Sequence, residues 1–194
     1  MSQLKMYWLA NNPIVKIKPR EGYSFSFYKD EKDIMPWVEC CKNGLLDDDA
    51  NKEDFISRIK NHEGINIKTD VIFLDYNGEH IGTITAVYHE EKNIGEVHMV
   101  GIRKDFRGKG LSKVLNCAAL MKLKNDGVKY VYLTTDEWRK AAVKSYLSAG
   151  FLPVEYNTGM KERWEKVLKE HSIEKCTMLC EDGNFFMTIF AKDR

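Results

Sequence analysis

The stretch that decides the fold of this chain is RGKGLS at residues 107–112, which follows an apolar run at residues 97–102 and opens a segment of helical periodicity. Glycine lacks the Cβ that would block a close approach, so a turn with two glycines brings several backbone N–H groups near one point. The helix that begins there adds its unpaired amides and the positive end of its dipole. Arg107, Lys109 and Lys113 are expected to add mobile positive charge. The stretch therefore predicts a strand, a turn that can hold phosphate, and a helix.

Two well-known nucleotide-binding motifs do not fit this stretch. The P-loop pattern GxxxxGK[ST] would place its first glycine at Arg103 and its magnesium-binding hydroxyl at Gly110. The dinucleotide pattern GxGxxG would need its third glycine at Lys113. A turn with two glycines often does no more than end a strand. The functional interpretation that remains is a basic turn suited to a pyrophosphate, without the metal ligand of an ATPase.

The stretch resembles the R/Q-x-x-G-x-G/A signature of the GNAT acyltransferase superfamily, from which Ser112 departs slightly. A second block, AVKSYLSAGF at residues 142–151, is similar to the A-x-x-x-Y-x-x-x-G-F ending of the next helix in that family. The resemblance covers residues 23–151 and weakens outside them. It implies an α+β fold, in which helices flank a mixed, mostly antiparallel central sheet. It also implies an acetyl-CoA-dependent N-acetyltransferase.

Hydrophobic periodicity places secondary structure in an order that agrees with this fold. It predicts strands at residues 23–28, 71–76, 81–88, 94–102 and 130–134, and helices at about 33–46, 52–61, 111–125 and 137–149. The Asn77-Gly78 pair predicts a tight hairpin turn between the second and third strands.

The two ends of the chain fit the family pattern less well. Residues 1–20 predict an N-terminal extension, because Asn11-Asn12-Pro13 and Pro19 break any long element. Residues 160–194 predict a helix followed by a terminal hairpin, which completes the sheet or pairs with a second subunit. A length of 194 residues suits one domain, residues 1–194, rather than two.

Composition excludes several classes of partner. Thirty basic and 29 acidic residues leave a formal charge of +1, which predicts no nonspecific binding to nucleic acid or to an anionic membrane. No run approaches the ~20 apolar residues that a membrane helix requires. Five cysteines and a start without a signal sequence predict a cytoplasmic protein. Cys176 and Cys180 have no clustered partner, so no metal is expected.

The resemblance implies a set of residues that bind acetyl-CoA as co-substrate. The strand backbone at Val100 and Ile102 would bind the pantetheine arm, as an added strand does. Arg139 stands where the family prefers asparagine, which puts one cofactor contact in doubt, although an arginine could instead reach a phosphate. The turn that would face the pyrophosphate consists of Arg107, Gly108, Lys109, Gly110, Leu111 and Ser112.

The resemblance also implies three catalytic residues. Glu96 and His98 lie two apart on a strand and therefore share a face, where either could take the proton of the acceptor amine, directly or through water. The alternative is that Glu96 lies at a solvated strand end and that His98 is a hydrogen-bonded core residue. Tyr146, among small helical neighbours that leave room for the phenol to reach outward, would protonate the departing CoA thiolate, although a lone helical tyrosine is more often core packing.

Gly101 lies inside the strand that leads to the turn. A glycine in a strand marks either a bulge or a close approach of another backbone. The resemblance favours the bulge, because the family splays two parallel strands in this region to admit the thioester. The alternative is a packing glycine beside a crowded neighbour.

Three functions stay open at this point. The first is transfer of an acetyl group from acetyl-CoA to a primary amine of a small molecule or to an exposed amino group. The second is a noncatalytic acyl-CoA-binding or sensing module on the same fold. The third is acetylation of a protein or peptide. The terminal hairpin also makes a homodimer one of the expected assemblies.

Overall fold

A computed structural model describes residues 2–191 of the chain, which form two compact units. We call residues 14–128 the glycine-turn unit and residues 2–13 with 129–191 the hairpin unit. The strands are β1 (Leu4–Leu9), β2 (Tyr23–Phe27), β3 (Val71–Tyr76), β4 (Glu79–His89), β5 (Ile94–Ile102), β6 (Tyr130–Thr135), β7 (Leu152–Glu155), β8 (Lys175–Cys180) and β9 (Phe185–Phe190). The helices are α1 (Ile34–Cys41), α2 (Lys52–Phe55), α3 (Ile67–Asp70), α4 (Leu111–Asn125), α5 (Lys140–Ser148) and α6 (Met160–Glu170). A π-helical turn, Ile56–Lys60, continues α2.

The glycine-turn unit contains an antiparallel sheet in the order β2-β3-β4-β5. Asn77 (φ 51°) and Gly78 (φ 84°) form the turn between β3 and β4, because this tight turn needs positive φ at both positions. Trp37 of α1, Phe55 of α2 and Phe73 of β3 are fully buried in one cluster. Burial of each such side chain contributes roughly 1.5–3 kcal/mol relative to exposure, so this cluster holds the helices against the sheet.

Helix α4 starts directly after the glycine turn and packs on β4 and β5. Its buried residues include Leu111, Leu115 and Ala119, which recur four residues apart along one face. Gly127 (φ 85°) follows the end of the helix in the left-handed conformation that glycine adopts without steric cost. This packing fixes the N-terminus of α4 at the end of β5.

The hairpin unit has β1 between β6 and β7 and antiparallel to both strands. Strand β7 pairs in parallel with β8, and β8 pairs antiparallel with β9. Trp8 of β1 and Trp164 of α6 are fully buried. Across the two units the strand pairing is mixed and mostly antiparallel, as the fold-class prediction states.

Most predicted elements are confirmed, including the helix and the terminal hairpin after residue 160. The interpretation of residues 1–20 as an extension is wrong for Leu4–Leu9, which is a buried strand rather than an appendage. This strand was not predicted because its apolar run is only six residues long and is followed closely by Asn11 and Asn12. So short a run shows no clear periodicity. The short strand β7 was missed for the same reason. The single domain stays a prediction.

Candidate active site

Strand β5 is interrupted by a bulge shortly before it reaches the glycine turn. Thr83 pairs with Gly101 and Thr85 pairs with His98, so two steps along β4 correspond to three steps along β5. Met99 has φ 49°, a conformation that non-glycine residues rarely adopt. The extra residue of the bulge therefore lies next to His98, in the region where the resemblance places one.

Gly101 itself is required by a close approach. A Cβ at this position would lie 2.6 Å from Cys40 O and 3.1 Å from Cys41 Sγ, at the C-terminal end of α1. A side chain here could not be accommodated without moving the backbone of that helix. The packing interpretation of Gly101 therefore describes this residue, and the bulge lies beside it.

The two glycines of the turn have a different reason to be glycine. Gly108 (φ 78°) and Gly110 (φ 76°) both lie in the left-handed region, and a Cβ on either would meet nothing within 4 Å. The amide of Lys113 donates to Gly110 O at 3.1 Å. The N–H groups at the very start of a helix have no intrahelical acceptor. The turn is thus open to solvent at the point where the phosphate interpretation needs backbone donors.

The charged side chains of the turn divide into two kinds. Arg107 donates from Nε to Ile102 O at 2.8 Å, from Nη1 to Asn43 O at 2.7 Å and from Nη2 to Lys42 O at 2.6 Å. The expectation that Arg107 supplies mobile charge is therefore wrong, because its guanidinium ties the end of β5 to the chain after α1. Lys109 is exposed, with Nζ 4.5 Å from the centre of the Phe106 ring.

Glu96 and His98 lie together, as the strand spacing predicts, and the fold adds two further histidines. We call His62, His89, Glu96 and His98 the His–Glu cluster. His89 Nε2 lies 2.9 Å from Glu96 Oε2, so the ring donates to the carboxylate. On the other oxygen, Oε1, His98 Nδ1 lies at 3.7 Å and His62 Nε2 at 3.8 Å. The Glu96 side chain is 12% exposed, so these ring positions surround a carboxylate that is largely withdrawn from water.

Both rings that face Glu96 Oε1 are fixed by backbone carbonyls. His98 Nε2 lies 3.1 Å from Arg58 O, and His62 Nδ1 lies 2.9 Å from Glu63 O. A carbonyl oxygen only accepts, so each of these nitrogens carries a proton. In a ring that has only this one proton, the opposite nitrogen carries the lone pair. Burial lowers the pKa of His98 below its ordinary value, against the opposing effect of Glu96, so the ring is neutral at pH 7.

Tyr146 and Arg139 belong to the hairpin unit. Tyr146 is 8% exposed and meets the ring of Phe151 edge on, so the phenol is buried and does not reach outward as expected. Burial raises the pKa of Tyr146 to about 12, against the lowering effect of Arg139. Arg139 lies over the Trp138 ring, and its Nε is 3.2 Å from Asp136 Oδ2. Its contact with a cofactor phosphate stays a prediction.

Sequence reasoning missed two members of the His–Glu cluster. His89 had a usable signal, because Val87 pairs with Glu96 and His89 lies two residues further on the same face of β4. His62 had none. It follows the π-helical turn that continues α2, and only the tertiary fold brings it to β5.

The described residues show mixed strand pairing, a bulged strand and a glycine turn that opens a helix. This combination defines the fold class of acyl-CoA N-acyltransferases. The model of the Acetyltransferase (GNAT) family matches residues 26–151 of the 194, and the chain belongs to this family.

Sequence and structural relatives agree with this assignment. The mycothiol acetyltransferase of Streptomyces coelicolor is 38% identical over 89 residues, which are 46% of this chain and 28% of that protein. The chain thus spans less than a third of the length of this relative.

Two solved structures share the fold. A GCN5-related N-acetyltransferase from Sphaerobacter thermophilus superposes with a TM-score of 0.62 at 18% identity, over 79% of this chain and 49% of that one. The diaminobutyrate acetyltransferase of Paenibacillus lautus, in complex with L-2,4-diaminobutyric acid and coenzyme A, gives a TM-score of 0.51 at 16% identity over 65% of this chain and 73% of that one. Among the described residues, no helix has the length and apolar character needed to cross a bilayer.

Proposed function

We propose that this protein transfers an acetyl group from acetyl-CoA to a primary amine of a small molecule. The observation that carries the proposal is the layout of β5. One strand holds Glu96 and His98 before its bulge and leads into the open glycine turn after it. A carboxylate–imidazole pair and a phosphate-binding turn at the two ends of one rigid element suit a reaction that joins an amine to a thioester. Membership of the GNAT family supports the same reaction.

The cofactor would be held by backbone more than by side chains. The amides of residues 108–112 would face the pyrophosphate, with exposed Lys109 close by. Val100 and Ile102 would offer strand backbone to the pantetheine arm beyond the bulge. We assign Arg107 to holding the turn in shape, because its guanidinium already donates to three carbonyls.

In the reaction, the amine nitrogen attacks the thioester carbon, the C–S bond breaks and the amine loses a proton. We propose Glu96 as the proton acceptor, with His98 as the rival. His89 holds one oxygen of Glu96 and leaves the other facing His98 and His62. His98 is neutral at pH 7, so its Nδ1 lone pair is a second basic position next to the carboxylate.

The departing CoA thiolate needs a proton, and we propose Tyr146 as its source. Burial raises the pKa of Tyr146 to about 12, so the phenol stays protonated across the working range of such an enzyme. Its proton leaves with the thiolate, and solvent or the released ammonium proton restores it. The expected pH profile therefore shows no loss of rate from Tyr146 ionisation up to about pH 10.

The test is release of free CoA thiol from acetyl-CoA across a panel of primary amines. Replacing Tyr146 by Phe keeps the ring and should lower turnover by roughly 10²- to 10⁴-fold with acetyl-CoA affinity unchanged. Tyr156→Phe is the matched control, since it removes a hydroxyl that donates to Gln3 O in the same unit. Wild-type turnover in Tyr146→Phe with chemistry rate-limiting would contradict the assignment of Tyr146. Acetyl-CoA binding without turnover on any amine would favour a sensing module, and turnover only on peptides a protein acetyltransferase.

We further propose a cellular compartment and an oligomeric state for the protein. All five cysteines are free, which supports a reducing, cytoplasmic compartment. Strand β9 lies at the end of the strand order in the hairpin unit and exposes Phe185 and Phe190. An exposed apolar edge strand is a template for pairing with another strand, which supports a homodimer through β9. Light scattering on the purified chain measures that assembly directly.

A further inference from the structure

We infer that His62, Glu96 and His98 form a binding site for one divalent transition-metal cation, of which Zn²⁺ is the best match. Their ligand atoms all lie within 4.8 Å of one another. The expectation of no metal rested on the cysteines, whereas these donors are two imidazoles and a carboxylate that the fold brings together. Two histidines and one glutamate are a ligand set that zinc uses in sites that keep an open position.

The distances from Glu96 Oε1 fit a shared cation better than direct hydrogen bonds. His62 Nε2 lies at 3.8 Å and His98 Nδ1 at 3.7 Å, both beyond the reach of an N–H···O bond. Ligand atoms about 2.1 Å from one zinc ion lie about 3.4 Å apart at the tetrahedral angle. Contraction of these two distances by a few tenths of an ångström would match that spacing, and the two ring nitrogens, now within 4.8 Å of each other, would move together around the ion.

The lone pairs of the two rings point toward Glu96. His98 donates from Nε2 to Arg58 O, and His62 donates from Nδ1 to Glu63 O. The nitrogen that faces Glu96 is therefore unprotonated in each neutral ring. Two lone pairs aimed at one carboxylate oxygen repel unless a proton or a metal cation lies between them, and a metal cation engages both at once. A metal ligand with its other ring nitrogen fixed by a backbone carbonyl is the usual arrangement at a histidine-bound metal.

The Glu96 carboxylate is also held in place by a neighbouring ring. His89 donates to Glu96 Oε2 at 2.9 Å and so orients Oε1 toward the two other rings. His89 would thus contact the metal ligand Glu96 and not the ion itself, as residues around a metal site commonly do. The side chains of His62 and His98 are 28% and 23% exposed, so an ion could enter from solvent and keep a water as its fourth ligand.

Cation binding and proton acceptance would exclude each other here, because the lone pairs of Glu96 and His98 serve both. That consequence rests on the proposed function. The inference about the ion itself does not, and it is tested by binding alone, in the absence of acetyl-CoA and of any amine.

The experiment titrates Zn²⁺ into the full chain after removal of metal by a chelator, in competition with a chromophoric chelator. One Zn²⁺ per chain is expected. Replacing His62 or His98 by Gln should weaken binding by more than about 100-fold, and His89→Gln by about 10- to 100-fold. The matched control is His171→Gln, a histidine of the hairpin unit outside the cluster, which should bind as the wild type does.

Cobalt substitution separates these ligands from the five cysteines. Co²⁺ at the cluster should give weak visible bands without the strong near-ultraviolet band of thiolate ligation. Melting curves without metal show whether each variant folds. If His98→Gln does not fold, His62→Gln still tests the site, because His62 lies in a loop and its replacement disturbs no strand. No stoichiometric binding to the wild type, a thiolate band, or unchanged affinity in folded His62→Gln would overturn the inference.

Discussion

The end of β5 and the turn that follows it both depend on glycine, but for opposite reasons. At Gly101 the space is full, since a Cβ would lie 2.6 Å from the Cys40 carbonyl oxygen. At Gly108 and Gly110 the space is empty, and only the positive φ excludes other residues. The first glycine is explained by the protein itself. The other two make room that the protein does not fill, which is the property a ligand site needs.

The largest effect should follow from filling the crowded site. Gly101→Ala should lower the free energy of unfolding by about 3 kcal/mol or more, because the methyl group displaces the end of α1. Gly82→Ala is the matched control on β4, where the nearest atom is the flexible Leu115 Cδ1 at 3.3 Å. That variant should change stability by no more than about 1 kcal/mol. Urea unfolding measures both, and equal effects would remove the contrast between crowded and open glycines.

Charging the open turn should remove the ligand rather than the fold. Acetyl-CoA at 100 times its Kd should stabilise the wild type by about 2.7 kcal/mol. Gly110→Glu should abolish this shift, since the new carboxylate lies beside the pyrophosphate. Gly127→Glu places the same residue at another open, positive-φ glycine, at the far end of α4, and should keep the shift. A normal shift in folded Gly110→Glu would show that acetyl-CoA binds elsewhere.

The smallest effects should distinguish the roles of the two basic residues of the turn, Arg107 and Lys109. Arg107→Gln should lower the free energy of unfolding by about 1 kcal/mol, because three carbonyls lose their donor, and should weaken acetyl-CoA binding less than Lys109→Gln does. Lys109→Gln should leave stability unchanged and weaken acetyl-CoA binding by about 2- to 5-fold, more at low salt. The reversed pattern, with stability lost in the Lys109 variant and affinity in the Arg107 variant, would place Arg107 on the phosphate.

Elements that short-range sequence pattern determines were predictable. The NG turn, the strand that carries Glu96 and His98, and the helix after Gly110 all follow from local spacing. Features that depend on residues distant in the sequence were not predictable. Nothing near Arg107 in the sequence shows that its guanidinium is taken by carbonyls of residues 42, 43 and 102. Strand β1 pairs with β6 on one side and β7 on the other, and both partners are distant from it in the sequence.

The candidate site also contains residues that were predictable from local pattern and residues that were not. The shared face of Glu96 and His98 is a property of one strand and was predictable. The rings that complete the cluster come from β4 and from the loop after α2, and a histidine in isolation is no more typical of a ligand than of a packed core residue. The prediction of a phenol reaching outward from Tyr146 failed because small helical neighbours do not reveal what covers them.

The π-helical turn after α2 determines on which nitrogen His98 carries its proton. Asn61 N–H donates five residues back to Ile56 O at 2.8 Å, and His62 N–H donates to Ile59 O, so Arg58 O is left for the imidazole. A regular helix would give that carbonyl to the amide of His62 instead. Deleting one residue from 56–60 would convert the wide turn to α-helix and release His98 to the other tautomer. The length of this turn therefore controls the ring chemistry on β5.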